Sequence, residues 1–285
     1  MCMMNRSDIL LIHLGGLGDV CLSESTFLSL SRHFGERIIA LGNKRFLQLF
    51  DEYFKDIESV ETRQWMYLFA KGGSKHIWEQ IIFIGKDRQG RLRKRWQRLS
   101  RLPLIFIDMY PEIATDKTHG AQSEKDVLHV ESYQLRQLSS YNINPLIKTI
   151  TPRHSQQVIL YPETGFTKEK WDVSNFITLS ERLQSQGIRV SVLQALDTPI
   201  SVQNRIYIRD ISRVKDLFQQ GGIFVSNDSG MAHLAGACGL STITLFSQYN
   251  PRIWHPRGTN ISYVLGNNTV TIDTLVSTIM AMLTG

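Results

Sequence analysis

The chain has 285 residues, enough for two domains of ordinary size with a core each, and its 42% hydrophobic and 20% charged residues exclude a disordered or fibrous protein. Its net charge is +6, no apolar run approaches the ~18 residues needed to span a bilayer, and residues 1–7 are too short and polar for a secretory signal, so a cytoplasmic protein is expected. Cys2, Cys21 and Cys238 are odd in number and lack CxxC or Cys/His spacing, which argues against a disulfide framework or a zinc site.

Residues 9–13 (Ile-Leu-Leu-Ile-His) read as a buried parallel strand, 14–20 as a glycine-rich turn with Gly15, Gly16, Gly18 and the acid Asp19, and 23–34 as a helix. The glycine spacing is not G-x-G-x-x-G, no acid ends a second strand, and there is no Walker lysine, so dinucleotide and P-loop fingerprints fit poorly. Further strands are expected at 37–41, 81–84 and 104–108, alternating with helices in the α/β manner. The aromatic cluster 65–69 reads as core or as a wall of an acceptor site. The basic run 86–101 is the main source of the net charge. After Gly90 it can be helical, with Leu92, Trp96 and Leu99 on one stripe and Arg91, Arg95 and Arg98 on another. That pattern suits peripheral contact with an anionic membrane or a phosphorylated acceptor. No nucleic-acid motif accompanies it, and a solvated helix face is the plain alternative.

Residues 142–155 have the prolines and polar residues of a linker, which divides the chain into domains 1–150 and 151–285. The second half repeats the α/β pattern with strands expected at 157–161, 189–193, 205–208, 223–226 and 242–246. Its most informative stretch is Asn227-Asp228-Ser229-Gly230-Met231-Ala232-His233, where an apolar strand turns directly into a small-residue helix. Asp228 and Ser229 are good N-cap residues, Gly230 admits close approach, and the first N–H groups of such a helix attract anions. The segment 161–171 places Thr164, Gly165, Lys168, Glu169 and Lys170 between a strand and Trp171, and Asp172 is suited to capping the next helix.

Together, Leu-Gly-Gly-Leu-Gly-Asp-Val near the start, the 161–171 segment and Asn-Asp-Ser-Gly-Met-Ala-His-Leu-Ala in the last third resemble glycosyltransferase family nine, the lipopolysaccharide heptosyltransferases. The resemblance covers roughly residues 9–34 and 157–256. Two positions depart from the family pattern: Glu169 stands where the lysine is, flanked by Lys168 and Lys170, and Asp172 stands where a proline follows the tryptophan. The chain is also short for the family.

The resemblance implies the GT-B fold, two doubly wound Rossmann-like domains facing a central cleft, with an N-terminal acceptor-binding and a C-terminal nucleotide-sugar-binding domain. It implies inverting transfer of a heptose from an ADP-sugar to a lipopolysaccharide core acceptor. Asp19 would be the base, against the alternative of a cap for the following helix; Lys170 or Lys168 would meet the departing diphosphate. Thr164, Gly165, Asp228, Ser229, Gly230 and His233 would line the donor, with the Gly15–Gly16–Gly18 loop on the acceptor side. No Asp-x-Asp metal pair occurs, so no metal is expected. Two other readings stay open: a transferase or epimerase on another nucleotide sugar such as a UDP-sugar, and a non-catalytic nucleotide-sugar-binding protein in which Glu169 marks a lost phosphate lysine.

Overall fold

β1 (Ile9–His13) is buried at all five residues because it is paired in parallel on both sides, with β2 (Ile38–Gly42) and with β4 (Gln80–Gly85). The computed structural model describes residues 8–70, 77–111, 127–163, 170–194, 204–265 and 270–284, and contact clustering divides it into Met1–Lys148 and Thr149–Gly285.

In the first unit β3 (Asp56–Ser59) and β5 (Ile105–Asp108) complete a parallel sheet of order β3-β2-β1-β4-β5. The helices are α1 (Leu17–Leu22), α2 (Glu24–Phe34), α3 (Lys44–Leu47), α4 (Met66–Phe69), α5 (Arg91–Gln97) and α6 (Val130–Leu138). One core cluster packs Leu10, Ile12, Ile81 and Phe83 of the sheet against Trp65, Leu68, Trp78 and Trp96. Trp65 and Trp78 stack with centroids 6.0 Å apart, and the Trp96 ring meets Phe83 edge-on at 4.8 Å.

The second unit has six parallel strands, β6 (Gln157–Tyr161), β7 (Arg189–Gln194), β8 (Arg205–Tyr207), β9 (Ile223–Asn227), β10 (Ser241–Phe246) and β11 (Asn260–Val264), in the order β11-β10-β9-β6-β7-β8. Between and after them come α7 (Val173–Ser185), α8 (Ile211–Phe218), α9 (Gly230–Ala237), α10 (Pro251–Trp254) and α11 (Ile272–Thr284). The core under α7 and α11 joins Phe176, Leu179 and Leu183 to Val158, Leu160, Val225, Ile243 and Leu275. In both sheets the winding reverses beside the first strand of the unit, between β1 and β4 and again between β6 and β9. That is the doubly wound Rossmann order, and its ligand crevice lies at the carboxyl ends of those strands.

All nine expected strands form. β3 and β11 were not expected: both are edge strands, mostly half-exposed, so their sequences carry little apolar signal. The glycine turn is shorter than the sequence suggests. α1 begins at Leu17, and Gly18 and Asp19 lie inside it, because Asp19 reaches back to the Gly16 N–H as the return half of a capping box. Asp19 therefore does not cap α2, whose N-cap is Ser23.

The basic segment does form a helix, but its three arginines are not equivalent. Arg91 and Arg98 are exposed, whereas Arg95 is half-buried and donates from Nε to the Leu68 carbonyl at 2.6 Å and from Nη2 to that of Tyr67 at 2.7 Å, closing the last turn of α4. The sequence-based grouping of Arg95 with the surface arginines is thus corrected. Arg95→Ala is expected to lower stability by about 2 kcal/mol, the scale of charged hydrogen bonds. Arg91→Ala and Arg98→Ala should each change it by less than about 0.5 kcal/mol. Urea titration of the three variants checks this.

Candidate functional site

At the first reversal of winding, β1 ends in the buried His13, and the backbone then turns through Leu14, Gly15 and Gly16 into α1. His13 Nδ1 accepts from the Gly15 N–H at 3.3 Å, so Nε2 carries the proton and donates to Ser23 Oγ at 3.1 Å. Ser23 Oγ donates in turn to the Asp19 carbonyl at 2.8 Å. Burial pushes the His13 imidazole down to about 4, only partly offset by backbone hydrogen bonds. The neutral ring thus serves to fix the turn.

Above it, the half-buried Asp19 carboxylate accepts from the Gly16 N–H at 2.8 Å on Oδ2 and from the Tyr110 hydroxyl on Oδ1. Tyr110 follows β5, and Lys86, which follows β4, places its Nζ 5.0 Å from the Tyr110 ring centroid. Gly15 is required by close approach: a Cβ there would lie 2.5 Å from Asp19 Cβ and 2.9 Å from His13 Cε1. At Gly16 the nearest atom to a Cβ is Asp19 Oδ2 at 3.8 Å, an ordinary contact. The structure thus gathers an oriented carboxylate, a phenol and an ammonium at the carboxyl ends of β1, β5 and β4. Tyr110 and Lys86 escaped sequence reasoning because nothing but a strand end marks them.

At the second reversal, β9 runs into α9 through Asp228 and Ser229. Ser229 is the N-cap, its Oγ accepting from the Ala232 N–H at 3.4 Å. Asp228 is not the cap; it is buried, and its N–H donates to the Leu245 carbonyl at 2.9 Å. Gly230 is the first residue of α9, and His233 is buried one turn in. Gly236, further along α9, faces the loop after α10, where a Cβ would come within 2.4 Å of the Arg257 carbonyl oxygen. Only glycine allows the helix to lie this close.

Asn227 joins this end of β9 to the end of β6. Its Nδ2 donates to the carbonyls of Pro162 at 2.8 Å and Trp171 at 3.3 Å, and its Oδ1 accepts from the Trp171 N–H at 2.8 Å. Pro162 and Trp171 are therefore tied to one buried side chain at the end of β9, and the exposed Lys170 immediately precedes Trp171 in the chain. Trp171 packs edge-on against Phe176 at 4.9 Å, and Asp172 caps α7 as expected, accepting from the Ser174 N–H at 2.8 Å. Backbone and side-chain hydrogen bonds from Ser174 hold the Asp172 carboxyl below its ordinary range. Thr164, Gly165 and Lys168 lie outside the described residues. Burial, reinforced by the charge of Glu163, pushes the Tyr161 phenol at the end of β6 well above its ordinary value. Asn227 belongs to the stretch singled out from sequence, but its bonds join positions that only the sheet brings together.

Two outcomes test this geometry. Because the folded His13 binds its proton more weakly than the unfolded one, its contribution is present above pH 6.5 and is lost as the pH falls toward 4. Urea stability should drop by about 2 kcal/mol between pH 7 and pH 5 from this group, and His13→Gln should flatten that segment. Asn227→Asp, which sets a carboxylate oxygen against two carbonyls, should cost about 3 kcal/mol in thermal or urea unfolding.

The model of glycosyltransferase family 9 (heptosyltransferase) matches residues 209–278, the span from just before α8 into α11. Among solved structures the chain is similar to Escherichia coli heptosyltransferase WaaC with ADP, at 14% identity, covering 96% of this chain and 99% of that one with a TM-score of 0.70. WaaC has also been solved with ADP-2-deoxy-2-fluoro heptose. A family 9 glycosyl transferase of Veillonella parvula aligns at 11% identity over 98% of each chain with a TM-score of 0.69. E. coli ADP-heptose lps heptosyltransferase II aligns at 13% identity over 97% of this chain and 98% of that one, with a TM-score of 0.60. No curated protein matches the chain by sequence. The two parallel sheets flanked by helices are those of the GT-B heptosyltransferase structures.

Proposed function

We propose that this chain, a glycosyltransferase of family 9, moves a heptose or related sugar from an ADP-sugar to a lipopolysaccharide core acceptor in the cytoplasm, with inversion and without a metal. The observation that carries the reading is the family match across β9 and α9, whose Asp-Ser-Gly-x-x-His sequence lies at the reversal of the second sheet. The ADP and ADP-sugar analogue bound by WaaC support an ADP-sugar as donor.

The roles follow from the chemistry of each unit. Transfer requires that an acceptor oxygen attack the anomeric carbon while the bond from that carbon to the diphosphate breaks. In a single displacement the configuration inverts. Asp19 takes the hydroxyl proton as general base, its orientation set by the Gly16 N–H and the Tyr110 O–H. Tyr110 is a positioning residue. The ADP leaves with added negative charge, which the N–H groups at the start of α9 and the ammonium of Lys170 or Lys168 stabilise. Thr164 and Gly165 serve the phosphates, and Asp228 and His233 the sugar and nucleotide side of the donor. Asp228 is assigned to sugar hydroxyls or backbone donors, since a carboxylate repels phosphate. Among the described residues no group of three or more His, Cys, Asp or Glu is placed to hold a metal ion.

The test is ADP release from ADP-heptose in the presence of a lipopolysaccharide core acceptor, in EDTA and again with Mg²⁺. Equal rates in both are expected. Asp19→Asn should lower kcat by about 10²–10⁴, the worth of a general base. Tyr110→Phe should lower kcat by about ten-fold with KM for the donor unchanged, since it loosens the base without touching the donor. Full activity in Asp19→Asn would overturn the assignment, and turnover of a UDP-sugar in preference would change the donor. ADP binding without any turnover would favour a non-catalytic binder.

A further inference from the structure

The first unit carries a surface that the transfer reaction does not use. Three segments are bonded together there. Arg95 of α5 holds the carbonyls of Tyr67 and Leu68, and Phe69 lies edge-on to Trp96 at 5.8 Å. The Trp78 Nε1–H donates to the Tyr67 hydroxyl at 3.0 Å, while the Trp78 N–H donates to the Leu99 carbonyl and the Arg101 N–H to the Trp78 carbonyl. Segments 66–69, 77–79 and 91–102 thus form one continuous piece of surface.

Its composition is unusual in two ways at once. Met66, Phe69, Ile77 and Leu102 are 56%, 41%, 46% and 45% exposed. Exposed apolar residues are ordinary singly, but a group on adjoining segments marks an interaction surface. On α5 the spacing of Arg91, Lys94 and Arg98 places them on one exposed stripe, while Trp96 is turned fully inward. Arg101 is also exposed, and the acid nearest to it, Glu79, is 3.7 Å away in a half-exposed pair that is worth little. The stretch 86–101 holds eight basic residues and a single acid, Asp87, which is taken up by Arg93.

We infer that this surface docks the protein on an anionic lipid bilayer, with Met66, Phe69, Ile77 and Leu102 entering the headgroup region and Lys94, Arg98 and Arg101 meeting lipid phosphates. Charge complementarity selects this occupant: apolar side chains interspersed with exposed cations fit a surface that is apolar below and negative above. Arg95 is not part of the contact, because its guanidinium is committed to α4. The inference stands apart from the transfer chemistry, since the Asp19 site is at the carboxyl ends of the strands whereas Ile77 and Leu102 precede β4 and β5.

The experiment is sedimentation of the whole protein with vesicles of phosphatidylcholine, with and without phosphatidylglycerol, at two salt concentrations. Binding is expected only with the anionic lipid, and it should weaken as salt rises. Lys94→Gln with Arg98→Gln should lower the partition coefficient about thirty-fold, at ~1 kcal/mol for each basic residue near such a surface. Met66→Ser with Leu102→Ser should lower it several-fold. Both pairs alter exposed side chains and should keep the melting temperature and ADP release of the parent. No sedimentation with anionic vesicles, equal sedimentation with neutral ones, or unchanged partition of the Lys94/Arg98 pair would overturn the inference. Displacement by a millimolar soluble sugar phosphate would also overturn it, because the surface would then be a phosphate site and not a membrane contact.

Discussion

Both candidate sites depend on the point at which each parallel sheet reverses its winding. Where β1 meets β4 and β6 meets β9, successive crossovers leave toward opposite faces, which opens a crevice at the carboxyl ends of those strands. Backbone groups that leave the ladder there still need partners. In the first unit His13 and Asp19 supply them, accepting the N–H groups of Gly15 and Gly16. In the second unit Asn227 supplies them for Pro162 and Trp171. The side chains nearest the crevice therefore hold the backbone of the turns in place.

The two solutions differ in their electrostatics. The first unit keeps its deepest titratable group neutral: His13 is fully enclosed, and its tautomer is dictated by what each nitrogen touches. The Asp19 carboxylate in the same turn is half-exposed and accepts from the Gly16 N–H and the Tyr110 O–H, which lowers the cost of desolvating it. The second unit offers positive potential instead, from the start of α9 and an exposed lysine. These are the opposite environments that the proposed transfer asks for, one for an acceptor hydroxyl losing a proton and one for a diphosphate gaining charge.

Much of this was legible in the sequence because buried parallel strands are written as apolar runs. Residues 9–13 and 223–226 announce central strands, and the glycines and small residues after them announce tight turns into helices. Edge strands are another matter: Asp-Ile-Glu-Ser and Asn-Ile-Ser-Tyr-Val carry few core contacts and hence little pattern. The candidate site was half legible. Asp19, Asp228, Ser229, Gly230 and His233 are contiguous with recognisable turns, whereas Tyr110 is 91 positions from Asp19 and meets it only because β5 lies in the same sheet as β1. Arg95 shows the converse failure. Helical periodicity placed it on the surface stripe, but the carbonyls that end α4 are a partner no local pattern reveals.

The bonds of Asn227 also have a kinetic meaning. The Trp171 amide gives its proton to a side chain and not to a sheet or helix ladder. Its exchange with solvent deuterium therefore reports the separation of Trp171 from Asn227, apart from the β6 and β9 amides that open only when the sheet comes apart. One tryptophan proton thus keeps a clock for the joint between the end of β9 and the start of α7, distinct from that of the sheet ladder.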